Sequence, residues 1–221
     1  AASFAFVVLA VLSTFVIVRS DPIVRRTIPL LKRLGLRDLD HGQGQEAADE
    51  AGHGTGRPIV ILGFYRTASA LLAEIERNQP ALLEQIGVID FNPVVFRTLS
   101  ERAVQVTYGD ISNADTLVHA GVGKAELIIL SVPDSLLKGA SNEKLVRHVR
   151  SINRTAKIVA TADLLADVND LYDAGADYVA LPRLNDAQVL LNLIEAASAG
   201  LLADRRRETE ALLEGRSEVL P

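Results

Sequence analysis

The chain has 221 residues, a formal net charge of -5, and 48% hydrophobic residues. This length and composition predict one sizeable folded domain with an appendage. An acidic chain lacks the basic face that a phosphate backbone requires, which argues against nucleic acid as a partner. Cysteine is absent, which excludes disulfides and thiolate metal sites.

The chain opens on an uncharged apolar segment, residues 1–18, whose only polar side chains are Ser3, Ser13 and Thr14. A segment of roughly 17 to 25 apolar residues crosses a bilayer as a helix. No basic region precedes it and no small-residue cleavage site follows, so a transmembrane helix is favoured over a signal peptide. Because methionine is absent at position 1, we expect the sequence to be part of a longer protein.

Residues 19–57 predict a connector on the cytoplasmic side of the membrane. Six basic residues and one acid lie between Arg19 and Arg37, and such a basic flank marks the cytoplasmic face. Residues 40–57 carry five glycines and almost no large apolar side chain, which predicts a flexible linker. His41 and His53 lie in this linker without a third ligand at plausible spacing, so no metal site is predicted.

From Pro58 onwards, short β-branched runs alternate with helical stretches. This alternation predicts an α/β fold, a Rossmann-like doubly wound parallel sheet of six strands with five intervening helices, preceded by one transmembrane helix. The predicted strands are residues 58–63, 86–91, 104–109, 126–132, 157–162 and 177–182.

Several helix boundaries follow from the same pattern. We predict the first helix over about Thr67 to Arg77 and the fourth over about Ser141 to Ser151. Asn113 is suited to cap the third helix, and Gly175 to end the fifth. A further helix, residues 185–200, is apolar over more than one stripe, which predicts a second partner for it. The tail from Leu201 is predicted to be an exposed or partner-dependent helix.

The turn after the first strand lies where a dinucleotide fold places its glycine-rich phosphate loop. Gly63 permits a tight turn, and the following helix offers free N–H groups and a positive dipole end to a phosphate. Arg66 adds a cation beside Thr67, and Ala68 replaces the third glycine. Tyr65 stands where a glycine normally allows the backbone to approach a pyrophosphate. A tight turn without a ligand therefore stays an alternative.

Other candidate residues lie where the next strands end. Asp90 ends the second strand, where a Rossmann fold places an acid that binds ribose hydroxyls; the alternative is an N-terminal helix cap. Because the carboxyl ends of parallel strands meet at one edge, loops after the third and fourth strands are expected beside it. Their acids could equally be loop or cap residues. The further candidates at this edge are Phe91, Asn92, Gly109, Asp110, Ser131, Val132, Pro133 and Asp134.

Sequence signatures of catalysis are missing. The chain contains no G-x-S-x-G elbow, no G-x-x-x-x-G-K-[ST] loop, no H-E-x-x-H motif and no second domain that would hold a substrate. His119 and His148 are isolated on predicted helices, where a surface role is the simpler interpretation. We therefore predict a protein that is not an enzyme. The alternatives are a membrane-anchored NAD(P)-dependent oxidoreductase and a ligand-free dimerisation scaffold.

Four motifs taken together resemble one known family. They are GFYRTAS after the first strand, VIDFNP at the second, YGD after the third and SVPDSLLKGASN after the fourth. Over residues 58–182 the chain resembles the cytosolic RCK (Trk-N type) domain of Kef-type monovalent cation:proton antiporters. The resemblance implies an upstream exchanger of potassium or sodium for protons, gated by a domain that binds a nucleotide and forms a homodimer. The implied ligand is NAD(H) or an adenine mononucleotide, AMP, ADP or ATP.

The resemblance also implies roles for single residues. Gly63, Arg66, Thr67 and Ala68 would face the phosphates, Asp90 the ribose, and Asp110 with residues 131–134 the base or a second phosphate. Tyr65 and Ala68 depart from the glycines that family members often carry, which argues against NAD(H) and keeps a mononucleotide such as AMP or ADP as an alternative. The implied domains are a membrane helix (1–18), a juxtamembrane segment and linker (19–57), the nucleotide-binding domain (58–182), and a dimerisation helix with a charged tail (183–221).

Overall fold

The computed structural model describes residues 56–137 and 139–220. The predicted transmembrane helix and nearly all of the predicted juxtamembrane segment and linker lie outside these residues. Among the helices of the described residues, none combines the length and the apolar character that crossing a bilayer requires.

A six-stranded parallel sheet forms the centre of the domain, with strand order β3-β2-β1-β4-β5-β6. This order confirms the predicted doubly wound, Rossmann-like sheet. Each strand falls within a predicted run. The strands are β1 (Ile59–Leu62), β2 (Ile86–Asp90), β3 (Gln105–Tyr108), β4 (Leu127–Leu130), β5 (Lys157–Thr161) and β6 (Tyr178–Ala180).

Five α-helices connect the strands and two more follow β6. They are α1 (Arg66–Asn78), α2 (Pro93–Glu101), α3 (Ala114–His119), α4 (Asn142–Ile152), α5 (Asp167–Ala174), α6 (Pro182–Ser198) and α7 (Leu202–Leu213). Short 3₁₀ turns occupy Pro80–Gln85, Val122–Lys124 and Asp134–Leu136.

The two predicted capping residues lie at the helix boundaries where the sequence predicts them. The Asn113 side chain accepts a hydrogen bond from the N–H of Asp115 and caps α3. Gly175 ends α5 with a φ of 108°, the left-handed conformation that favours glycine. The predicted start of the helix after β6 is wrong, because Pro182 occupies the first turn of α6 with a φ already suited to a helix.

The two faces of the sheet carry separate cores. Helices α1 and α2 cover β1, β2 and β3 on one face, where Leu72, Val95 and Leu99 are fully buried. Helices α3, α4 and α5 cover the other face around Leu117, Val146 and Leu171. Burial of such side chains contributes roughly 1.5 to 3 kcal/mol each, so both cores stabilise the sheet.

One half of the first face is left open in the described structure. A row of side chains in register runs across all six strands, comprising Val106, Val88, Ile61, Ile129, Val159 and Tyr178. Ile61 on β1 is fully buried, whereas Tyr178 on β6 is 60% exposed. Between them, Ile129 and Val159 are partly buried, so the cover provided by α1 and α2 decreases beyond β1. A shallow groove of about 350 Å³ lies where that cover stops, between α1 and Ile129.

Helices α6 and α7 form a hairpin that turns at Gly200, which has a φ of 74°. Only Ala196 of α6 is buried, and the large apolar side chains of both helices lie at the surface. They are Leu184, Val189, Leu190, Leu191, Ile194, Leu202, Leu212 and Leu213. The predicted wide apolar surface is therefore present, and its need for a partner stays a prediction.

Asp177 joins three elements at the amino edge of the sheet. Its carboxylate accepts hydrogen bonds from the N–H of Ile158 at 2.9 Å, from Lys157 Nζ at 3.1 Å and from Arg150 Nη2 at 2.9 Å. Burial opposes the charged form, but these three donors outweigh it and hold the pKa of Asp177 below its ordinary value of 3.8.

We predict that Asp177→Asn lowers the free energy of unfolding at pH 7 by about 1 kcal/mol, because it weakens these charge-assisted bonds. A depressed carboxyl pKa stabilises the fold above the unfolded pKa and ceases to do so as the pH falls through the folded pKa. The difference between wild type and variant should therefore shrink below pH 3.8. Urea denaturation at several pH values measures it, with Asp173→Asn, an exposed acid on α5, as the control. A difference that stays constant with pH would contradict the prediction.

Candidate nucleotide-binding site

The turn after β1 is held by its neighbours on both sides. The N–H of Gly63 donates to the carbonyl of Ile89 at 2.8 Å, and Ser131 Oγ donates to the Gly63 carbonyl at 2.8 Å. Gly63 has a φ of 71°, and a Cβ atom there would lie 2.1 Å from Val132 Cγ2. Only glycine fits between these loops. The two hydrogen bonds connect the end of β1 to the ends of β2 and β4.

The amino terminus of α1 faces this edge without a side-chain cap. The first hydrogen bond of the helix runs from the N–H of Ser69 to the Tyr65 carbonyl, and Tyr65 provides no capping acceptor. By contrast, side chains cap the helices after β2, β3 and β4, namely Asn92, Asn113 and Ser141. The N–H groups of the first turn and the positive dipole end of α1 are therefore suited to an anion.

The side chains of this first turn divide between the site and the core. Arg66 and Thr67 are exposed, and the Arg66 guanidinium carbon lies 5.7 Å from the centre of the Tyr65 ring. This cation–π contact places a positive charge at the mouth of the turn. Ala68 is fully buried in the core, so its backbone N–H, and not its side chain, is what it offers the site.

Asp90 connects the turn to the end of β2. Its Oδ2 accepts the N–H of Phe64 at 2.6 Å, and its Oδ1 accepts the N–H of Asn92 at 2.7 Å. The interpretation of Asp90 as the cap of α2 is wrong, because Asn92 caps that helix through the N–H of Val94. Burial raises the pKa of Asp90, and the two backbone N–H groups partly offset the increase.

The loop after β3 is shaped by Asp110. The N–H of Gly109 donates to the Asp90 carbonyl at 3.1 Å, and a Cβ at Gly109 would lie 2.5 Å from Thr116 Cγ2. Asp110 is exposed, and its Oδ1 accepts both the N–H and the hydroxyl of Ser112 at 2.8 Å. Asp110 therefore forms a turn that borders the site.

The loop after β4 is held by the first residue of α4, Asn142, which the sequence did not single out. Asn142 is 2% exposed and its amide donates to the Val132 carbonyl at 2.8 Å, while its backbone N–H donates to Asp134 Oδ1 at 2.7 Å. Pro133 lies half-buried between these contacts. An asparagine at a helix start carries no signal of such a role, since most of them are surface caps. Asn142 fixes the loop that packs on Gly63.

The structure thus brings the predicted loops together at one edge of the sheet. An uncapped helix terminus and Arg66 lie beside a largely buried carboxylate, Asp90, which is 6% exposed. The terminus suits a phosphate and the carboxylate suits sugar hydroxyls. Phe91 is exposed at the start of the following loop and offers an aromatic surface. No cluster of three or more potential metal ligands occurs within residues 56–137 and 139–220.

The family model of the TrkA-N domain matches residues 59–182, which is more than half of the chain. The chain belongs to the TrkA-N domain family. This result confirms the resemblance noted from the four sequence motifs. The matched range begins with β1 and ends at the first residue of α6, so it contains all six strands and the loops described above.

Two curated relatives match part of this chain. The chain is 27% identical over 139 residues to the putative K(+) efflux antiporter KefB of Alkalimonas amylolytica, covering 63% of this chain and 20% of the relative. It is 25% identical over 141 residues to the putative cation/proton antiporter YbaL of Escherichia coli K12, covering 64% and 24%. The chain therefore matches only about a fifth to a quarter of each antiporter.

A solved structure shows the same fold. The TrkA-N domain of the inner membrane protein YbaL from Escherichia coli superposes with a TM-score of 0.55 at 22% identity, covering 62% of this chain and 96% of that domain. At this identity the likeness concerns the fold alone.

We predict that Gly63→Ala destabilises the TrkA-N domain by about 2 to 4 kcal/mol. Positive φ costs an alanine roughly 1 kcal/mol, and overlap with Val132 adds a further roughly 1 to 3 kcal/mol. Gly139→Ala is a matched control, because Gly139 has a φ of 77° but no atom lies within 4 Å of the position that an added Cβ would take. Chemical denaturation compares the two; equal losses would show that the packing against Val132 contributes nothing.

Proposed function

We propose that this chain is the nucleotide-binding regulatory part of a monovalent cation:proton antiporter, with potassium as the leading candidate ion. The TrkA-N family and the antiporter relatives support this proposal. The chain regulates rather than catalyses. The described site is suited to an anion and to hydroxyl groups, and it does not combine a nucleophile with a general base. Residues 1–18 anchor it in the cell membrane, and the residues after them lie in the cytoplasm.

The observation that carries the nucleotide proposal is the uncapped terminus of α1 opposite Asp90. A phosphate on the first-turn N–H groups is stabilised by the helix dipole and by Arg66. Asp90 then accepts hydrogen bonds from a ribose, since each carboxylate oxygen keeps a free lone pair after its backbone contact. Gly109, Asp110 and residues 131–134 border the remainder of the ligand, which is NAD(H) or an adenine mononucleotide.

Regulation requires that the ligand distinguish between two arrangements of the transporter. A nucleotide that binds one arrangement more tightly shifts the equilibrium by that difference in affinity, typically 1 to 3 kcal/mol. Paired TrkA-N domains supply such arrangements. We therefore propose a homodimer as the regulatory unit.

The open half of the sheet and the exposed surface of α6 support this dimer. Val159 and Tyr178 continue this face beyond Ile129, which packs at the border of the core under α1, and Tyr178 is 60% exposed. Helix α6 follows β6 in the chain. Its surface is also apolar, and Ile194 on it is 64% exposed. In a symmetric pair, α6 of each copy covers the sheet of the other, so both surfaces are buried at once.

We predict that one nucleotide raises the melting temperature of the full chain in detergent, when NADH, NAD, AMP, ADP and ATP are added in turn. A ligand at about a hundred times its Kd adds roughly 2.7 kcal/mol, which shifts the midpoint by several degrees. Arg66→Ala removes the cation and Asp90→Asn weakens ribose recognition, so both variants should lose most of this shift.

Arg147→Ala is the control for these variants, because Arg147 is an exposed cation on α4 that pairs with Glu143. It should keep the full shift. If no nucleotide changes the midpoint of the wild-type chain, the nucleotide proposal is overturned and the ligand-free scaffold is favoured. Turnover of NADH would instead favour the oxidoreductase.

We further predict that Ile194→Glu converts the dimer into a monomer, because a carboxylate would have to be desolvated on the covered sheet. Light scattering of the detergent-solubilised chain, corrected for bound detergent, measures the mass. Val118→Glu is the matched control, since Val118 is similarly exposed on α3, on the other side of the sheet. A wild-type monomer, or a dimer that survives Ile194→Glu, would disprove this interface.

A further inference from the structure

Residues 216–220, here called the strap, fold back from α7 onto α1, the helix that follows the turn at Gly63. The N–H of Leu220 donates to Ser69 Oγ at 2.8 Å, and Ser69 is fully buried in the first turns of α1. Val219 and Leu220 pack against the core beneath α1. The strap therefore ends within one helical turn of the N–H groups assigned to the phosphate.

Arg216 makes several of the polar contacts of the strap. Its guanidinium donates to the carboxylates of Glu74 and Glu218 and, at 3.2 Å, to the Ala70 carbonyl. Its side chain is 19% exposed, so these bonds are shielded from water more than an ordinary surface pair. The hydrogen bond from Arg216 lowers the pKa of Glu74, which agrees with a close charged contact.

Two further bonds connect the strap region with both helices of this face. Arg77 Nη1, on the last turn of α1, donates to the Leu212 carbonyl of α7 at 2.6 Å. Arg102, at the end of α2, donates to Ser217 Oγ at 3.2 Å and forms an ion pair with Glu76. The contacts thus join the whole length of α1 to the end of the α6–α7 hairpin.

We propose that the strap couples nucleotide binding at α1 to the position of the α6–α7 hairpin, with Arg216 as the positioning residue. This inference rests on the proposed function. A phosphate orders the first turn of α1 at its N–H groups, and the strap orders the same turn through Ser69. Each therefore reduces the cost of ordering that the other must meet, which makes the coupling positive and reciprocal.

The coupling reaches the dimer surface through covalent continuity. The strap begins three residues after the end of α7, and a turn at Gly200 connects α7 to α6, whose apolar side chains are proposed to cover the partner. Docking of the strap restricts the hairpin to one orientation relative to α1. Nucleotide binding therefore favours the paired arrangement that this orientation permits.

Hydrogen exchange of the full chain in detergent tests the coupling, with AMP and NADH as separate probes and calorimetry to measure their binding. We expect a bound probe to slow exchange in the strap at least threefold. Arg216→Ala should abolish this protection and weaken probe affinity about 5- to 20-fold. Arg216→Lys keeps the positive charge and can still donate a hydrogen bond to Glu74. It should therefore recover part of the strap protection and part of the probe affinity.

Arg206→Ala is the matched control, because Arg206 lies on the exposed face of α7 and pairs with Glu210. It should leave strap protection and affinity unchanged. Ser69→Ala provides an independent variant, since it removes the acceptor for Leu220 without touching Arg216, and it should reduce strap protection as well.

The outcomes separate this inference from the function on which it rests. If a probe binds by calorimetry but strap exchange does not change, and Arg216→Ala binds as tightly as wild type, the coupling is overturned while nucleotide binding stands. If neither probe nor any other adenine nucleotide binds the wild-type chain, both proposals fail together. A purely structural strap would lower stability in Arg216→Ala without any response of the strap to nucleotide.

Discussion

The hydrogen bond from the Phe64 N–H to the buried carboxylate of Asp90 is the contact on which the candidate site depends. It joins the turn after β1 to the end of β2, and Ser131 joins the same turn to the end of β4. With three strands held in this way, the amino terminus of α1 can point in only one direction. The geometry proposed for anion recognition therefore depends on a carboxylate that is itself largely removed from water.

Helices cover one face of the sheet across more of its strands than the other face. In a doubly wound sheet, helices before and after the central crossover lie on opposite faces, so β4, β5 and β6 depend on a later helix to cover their second side. Here only Ala196 of that helix, α6, is buried, and its large apolar side chains are mostly exposed. This unfilled half is the observation that supports the proposed pairing of two copies.

Local chemistry explains what the sequence could predict. The β-branched runs, the cap at Asn113 and the glycine at Gly175 each act within a few residues, so the strands and helix ends follow from short patterns. The roles of Asn142 and Arg216 depend on partners that only the folded chain brings near. Arg216 contacts Glu74 across 142 positions, and no periodicity records such a pair. The position of Asp90 at the end of β2 follows from the sequence, but its bond to Phe64 emerges only in the folded chain.

The separation between the strap and α1 also has a consequence for synthesis of the protein. Leu220 and Ser69 are 151 positions apart, so at about 5 to 20 residues per second the ribosome adds Leu220 roughly 8 to 30 seconds after Ser69. The turn, Asp90 and the loop after β4 have all emerged by then. On the ribosome, the edge of the sheet that is proposed to bind a phosphate is therefore synthesised before the strap.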